Sequence, residues 1–448
     1  MTCYSSRLLT LLWAAALIFS GLGPYYGAHD AVAQWPSFLI VVAGLIVLGA
    51  HQSLVTVGLS AAIFLISFVA QMPINPNHRW ILLYVSLAII IRLRTAKTVD
   101  LLWQAAQGSL QWLAVIVYEF ATLAKLNAAY FTPEISCAGV FGWQAAELYG
   151  LSVSDAMKGS SLMALVTVLA EGLLPLALLW KRTRCAAVFC GIVFHIGLSL
   201  HFVRYFANFS SVMFILLASF LPETSCESIY RALKSRLLVA SRVWAGAIII
   251  LVAAAILSLA SLVEYGIARY VLYMLFALSL ATLTFYSVLG VRCDARVGRP
   301  ITLIMAFALV NACAPYLGLK TRSAFTMYSN LRIEPGYSNH FFMPTSFDLF
   351  GYLSDTVQIS HTSDPSLQER VSRESAQMAY LSLCTYLACQ DDICKEANRS
   401  GTVSYYRGGE LVHHDLRDPL PPSCPPWMAR KLLLFGPTGP DSERECVW

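Results

Sequence analysis

Charge is what this sequence lacks. Asp, Glu, Lys and Arg make up 13% of its 448 residues, while 57% of the chain is apolar. Soluble proteins carry roughly 25% charged residues. So few charges cannot cover the surface of a water-soluble chain of this length, and lipid must cover part of it. The chain also lacks a polybasic tract and any alternation of basic with aromatic residues, so it carries no footprint for nucleic acid. Its net charge of +5 comes from residues scattered over short loops. No long internal repeat, low-complexity tract or pair of inverted, broken helices is present, which argues against a secondary transporter.

What the sequence does have is a succession of apolar stretches of spanning length, roughly 17–25 residues allowing for tilt. They fall near 8–26, 36–50, 53–71, 79–95, 108–125, 160–180, 185–203, 205–221, 242–263, 270–290 and 300–316. The second is short, and its join to the third at His51-Gln52-Ser53 is tight. Arg92/Arg94/Lys97, Lys181/Arg182/Arg184, Arg231/Lys234/Arg236/Arg242 and Arg292/Arg296/Arg299 alternate with loops poor in basic residues around 126–159, 203–205 and 264–269. Basic loops stay in the cytoplasm, so every loop obeys one parity and the chain after Pro315 lies outside. At the start, Arg7, the apolar run over 8–22 and Ala31-Val32-Ala33 fit either a retained helix or a cleaved signal peptide. Cleavage would leave the later parity unchanged.

These features predict an all-α polytopic transmembrane helical bundle over 1–316, with about eleven spans. A small C-terminal α+β exterior domain over 317–448 comes next, on the non-cytoplasmic side of an inner membrane. In that second part residues 376–390 read as a short helix, and Val403–Arg407 and Glu410–His413 flank the hairpin signal Gly408-Gly409. Of the twelve cysteines, Cys384, Cys389, Cys394, Cys424 and Cys446, with Cys137 in the 126–159 loop, are expected outside and so are disulfide candidates. Gaps of five between the first three do not suit structural zinc.

Ionisable groups within spans cost about 2.5–3.5 kcal/mol each, and so call for a reason. Glu119 and Lys125 lie on the fifth span, Glu171 in the middle of the sixth, and His195 and His201 on the seventh with Arg204 at its outer end. Asn77 and His78 open the fourth span. By parity, Lys125, His78, His201 and Arg204 converge on an outward-facing cavity, with Glu119, Glu171 and His195 below it. Tyr118, Thr122 and Lys125 share one helical face. Snorkelling to the interface accounts equally for Lys125 and Arg204, and an interhelical hydrogen bond for His195. Glu171 is too deep to snorkel and needs a buried partner or a proton.

Phe120 through Asn127, Ala170-Glu171-Gly172-Leu173-Leu174-Pro175, Phe194-His195 and Asn77-His78 resemble motifs of the HTTM superfamily, which includes vitamin K-dependent gamma-carboxylase. The resemblance covers roughly 8–316. Pro315 through Lys320, Met327 through Arg332 and Ser338 through Phe341 are similar to an uncharacterised bacterial subgroup of it. The C-terminal part is shorter than the large luminal part of the animal enzyme and does not look like it. The resemblance implies that Lys125 stands where the carboxylase has the base that deprotonates a reduced quinone. It further implies apolar walls that keep the amine neutral, and histidines that bind or polarise the quinone oxygens.

Two function classes are consistent with these features. The first is a quinol-dependent oxidoreductase or carboxylase-like enzyme, with Lys125, His195 and Glu171 as catalytic candidates and Asn77, His78, Tyr118, Glu119, His201 and Arg204 as ligand-binding ones. The second is a non-enzymatic bundle that binds a lipid, quinone or secreted peptide, for export or immunity.

Overall fold

The computed structural model of the protein describes residues 4–22, 35–73, 75–201, 206–234, 262–289, 291, 296–373, 376–392, 401–436 and 438. Its first part is helical: α1 (Tyr4–Gly21), α2 (Trp35–Gly49), α3 (Leu54–Ala70), α4 (Asn77–Leu93), α5 (Val99–Lys125), α6 (Ala128–Phe131), α7 (Cys137–Leu148), α8 (Asp155–Lys158), α9 (Leu162–Leu179), α10 (Arg184–Ser199) and α11 (Phe206–Ala218). A helix α12 over 223–234 is next, then α13 (Leu262–Val288) and α14 (Thr302–Cys313). Over its described residues, each apolar stretch expected from the sequence is largely helical, except 242–263, which lies almost wholly outside them; Ala31-Val32-Ala33 lies wholly outside them. α5 begins well before the expected 108. Its first turns carry Gln104 and Gln107, which break an apolar run but not a helix, and the Thr98 hydroxyl caps the Leu101 N–H at 3.2 Å.

Among the described residues, two helices, over Leu162–Leu179 and Arg269–Val288, are long and apolar enough to cross a membrane by length and composition. α9 is built inside out. Leu162, Leu165, Val166, Leu169, Leu173 and Leu176 are exposed, whereas Ala164, Glu171, Leu174, Pro175 and Leu178 are buried. Its outward stripe is therefore all apolar and its inward face carries the charge. α14 repeats the pattern, with Leu303, Phe307 and Val310 exposed and Asn311 buried. Buried polar contacts tie the helices together, such as Trp13 Nε1 to Ser60 Oγ at 2.9 Å and Trp103 Nε1 to Thr10 Oγ1 at 2.8 Å. Arg184 caps the end of α9, donating to the carbonyls of Leu178 and Leu179 at 2.7 and 2.8 Å.

The chain after α14 does not leave the bundle at once. Phe325 and Met327 pack into the helical core, and β1 (Ile333–Glu334) pairs with β2 (Tyr337–Ser338) in a short ribbon. Beyond it lies a four-stranded antiparallel sheet, in the order β4 (Gln377–Ala379), β3 (Thr356–Thr362), β5 (Thr402–Arg407), β6 (Glu410–Asp415). The expected hairpin forms, with Gly408 and Gly409 at φ 59° and 86°, values that favour glycine. The expected helix over 376–390 is corrected at its start. Gln377–Ala379 pair with Thr356–Gln358 as an edge strand, and the helix is α16 (Tyr380–Asp392), flanked by α15 (Pro365–Arg373) and α17 (Trp427–Leu432).

Cys384 and Cys424 form a disulfide, with Cα atoms 5.7 Å apart. Cys137 is also disulfide-bonded, and so is Cys185, which the sequence did not mark. Cys185 sits beside Arg184 at the basic end of α10, the end that the charge pattern assigns to the reducing compartment. Cys394, Cys446 and the side chain of Cys389 lie outside the described residues.

Candidate functional site

Lys125 is the last residue of α5, and the break in the chain just after it fixes its position. Leu126 leaves the helix (φ −80°, ψ 64°) and Asn127 starts α6. The fully buried Asn127 side chain accepts from Tyr130 N at 2.9 Å and donates to the carbonyls of Ala124 and Ser329 at 2.8 and 2.6 Å. Ser329 belongs to the segment after α14, so this break is held from the far end of the chain. His340 grips the same turn. Its Nε2–H donates to Leu123 O at 3.0 Å, while Nδ1 accepts from Phe342 N and Met343 N at 3.2 and 3.1 Å. Those bonds set the tautomer. Burial lowers the His340 pKa, partly offset by its bond to Leu123. Asn127 and His340 also form a β-bridge.

α9 supplies the opposite wall. Pro175 has no N–H for the carbonyl four residues back, which belongs to Glu171, so the helix is loosened where the acid sits. At Gly172 an added Cβ would lie 3.2 Å from Thr122 Cγ2, tighter than ordinary contact. A glycine there lets α5 and α9 approach closely, and the approach joins Lys125 to Glu171. Lys125 Nζ lies 2.7 Å from Glu171 Oε2, with the side chains only 4% and 9% exposed. Oε2 has no well-aligned hydrogen-bond donor, so the pair is held by charge more than by a directed bond. Lys125 Nζ also lies 3.4 Å from Ala121 O.

Lys125 thus stands among apolar walls and beside a charge. A carboxylate stands beside it, and this is the buried partner that Glu171 required. Near them lies Tyr130, its ring centroid 5.9 Å from Lys125 Nζ. Burial first, and the Glu171 charge second, push the Tyr130 phenol well above its ordinary pKa. It remains a neutral donor.

The pair lines a cavity of about 390 Å³, within the roughly 300–1,000 Å³ of small-molecule sites. His78, Asn77 and His201 line it too, among mostly apolar neighbours. His78 Nε2 is buried without a hydrogen-bond partner. Asn77 is already engaged, its Oδ1 accepting from Phe325 N at 2.9 Å. His201 Nε2 meets Gln144 Oε1 at 3.2 Å, and its ring stands edge-on to Phe141. Met327 and Tyr328, from the segment after α14, roof the cavity, and Tyr328 packs on Phe141 and Phe206 at centroid distances of 5.1 and 4.8 Å.

Three of the expected residues are not brought to the cavity wall. Tyr118 and His195 bond each other, Oη to Nε2 at 2.7 Å, in a buried network with Ser199, Ser210 and Tyr273. Glu119 is half-buried and lies outside the lining. Arg204 lies outside the described residues. Sequence reasoning missed Asn127, Tyr130, Gln144, Tyr328 and His340 as site-builders. The available signal was their density of Asn, Tyr and His just after a helix end and in the two segments after α14.

Comparisons with protein-family models, with curated proteins and with solved structures find no match.

Proposed function

We propose that this chain is a multi-pass membrane protein, with about eleven spans and its C-terminal α+β part on the non-cytoplasmic side, that oxidises or otherwise uses a reduced quinone at the Lys125–Glu171 cavity. The outward apolar stripes of α9 and α14, with their inward polar groups, support the membrane reading, because soluble proteins rarely expose contiguous apolar faces. One observation carries the chemistry: a buried ammonium and carboxylate 2.7 Å apart in the wall of a largely apolar cavity. Such a pair costs several kcal/mol of desolvation and is weak evidence of stability alone, so a task at the cavity explains its placement better.

The residues fit a quinol. Apolar walls suit its ring, and His78 Nε2 is buried with no protein partner. A quinol supplies two reducing electrons, whose acceptor in this reading is dioxygen, and two weakly acidic hydroxyls. Glu171 takes up a proton through its carboxylate. The Lys125 ammonium, already beside it, balances the negative charge that the departing proton leaves. Lys125, assigned as base by the resemblance, thus acts in this proposal as half of a pair. His78 orients the polar head, and Tyr130, a neutral phenol, offers an O–H to it.

Quinol oxidation in proteoliposomes tests this. A positioned acid–base group contributes typically about 10²–10⁴-fold, so Lys125→Met and Glu171→Gln are each expected to lose at least about a hundredfold in rate, with folding retained. Wild-type turnover in both variants overturns the catalytic role. Quinol binding without turnover in the wild type favours the non-enzymatic binder instead.

A further inference from the structure

The cavity's lining differs between the segment after α14 and the flank formed by α9 and α10. Its roof is built from Met327 and Tyr328, in a segment where Ser323, Phe325, Tyr328 and Asn330 all adopt positive φ. Such backbone is costly for residues other than glycine and is kept only where packing and hydrogen bonds hold it. Asn330 is held in this way, accepting from Cys137 N and donating to Ile135 O, both at 2.9 Å. The roof is therefore pinned rather than loose.

The flank is different. On α9 the residues facing the cavity are Met163, Thr167 and Glu171, and those facing outward are Leu162, Leu165, Leu169 and Leu173. Val166 lies between these two sets around the helix. It lines the cavity and is still 51% exposed. α10 shows the same boundary. Phe194, Leu198 and His201 face the cavity, Val193 and Leu200 face outward, and Gly197 both lines the cavity and is exposed. A Cβ built on Gly197 meets nothing within 4 Å. The helices join at residues 180–183, so Val166 and Gly197 sit at the opposite end of the hairpin. There the cavity meets the same outer face that carries the apolar stripe.

We infer that the cavity opens laterally between α9 and α10, past Val166 and Gly197, and that its ligand is an amphiphile. The polar head sits at Lys125–Glu171, and a linear apolar tail lies out over the leucine stripe of α9. This inference rests on the proposed quinol reading for the head chemistry. The route and the tail follow from the exposure of Val166 and Gly197 at the cavity wall and from the leucine stripe of α9.

Gly197→Trp is the direct test, since its side chain enters open space on an exposed helix face, and Val166→Trp plugs the other edge. Binding to the full-length protein in nanodiscs is measured for three probes: decylubiquinol, the tail-less ubiquinol-0, and 1-decanol. The melting temperatures of both variants are expected to stay near that of the wild type. Both should weaken decylubiquinol by about tenfold or more and leave ubiquinol-0 unchanged. Equal effects on the two quinols, or none on either, overturn the lateral route while leaving the quinol reading standing. Binding of 1-decanol alone, lost in both variants, supports the route and removes the quinol reading. No binding of any probe to the wild type overturns both.

Discussion

Breaking the Lys125–Glu171 pair from one side leaves a buried charge without its partner. With the side chains 4% and 9% exposed and the charges 2.7 Å apart, solvent screens the contact little. Removing one member of such a pair costs about 3–5 kcal/mol. Lys125→Met and Glu171→Gln are therefore each expected to destabilise the protein by that amount, lowering its melting temperature by roughly 3–5 °C. The double variant has no stranded charge. It is expected to cost less than either single change, with a coupling of about 2–3 kcal/mol. Thermal unfolding in a mild detergent, followed by tryptophan fluorescence, reads all four proteins under one condition. Single changes that each cost under about 0.5 kcal/mol, or costs that simply add in the double variant, would refute the argument that these charges depend on each other.

Two further expectations concern the chain after α14 and the proposed topology. Lys320 comes after α14 and is buried, its Nζ 3.5 Å from the Trp80 ring centroid and without a hydrogen-bond partner; burial holds its pKa well below the usual value. The unfolded chain then binds the extra proton between the two pKa values, so stability rises as pH climbs through that window. Lys320→Met should flatten that rise, and a melting profile parallel to wild type would count against it. For the proposed topology, alkaline phosphatase fused after residue 320 is expected to be active in a bacterial host. Activity from a fusion in the Lys181–Arg184 loop instead would invert the assignment.

How much was legible in the sequence varied with the kind of signal. Apolar runs marked most of the long helices, because the residues that pack the bundle and the outward stripes of α9 and α14 are both apolar. The Gln-bearing first turns of α5 escaped because hydropathy does not register helix propensity. Gly408-Gly409 announced its hairpin through a backbone requirement that is local. Glu171 stood out as a residue needing a partner, and parity placed Lys125, His78 and His201 at one level. The partner itself was not legible, since it depends on how closely α5 and α9 approach at Gly172 and Thr122. His195 and Tyr118 misled for the same reason: their rotation around α10 and α5 points them to a serine-rich network rather than to the cavity. Asn127 and His340 are 213 residues apart in number, and only the fold brings them together around Lys125.

The central claim is that the Lys125–Glu171 cavity holds a reduced quinone. Its most direct test is native mass spectrometry of the protein purified in mild detergent, with the released small molecule identified. A quinone or quinol retained by the wild type and lost from both Lys125→Met and Glu171→Gln is the predicted result. Retention of phospholipid alone, or of the same quinone by all three proteins, would contradict it.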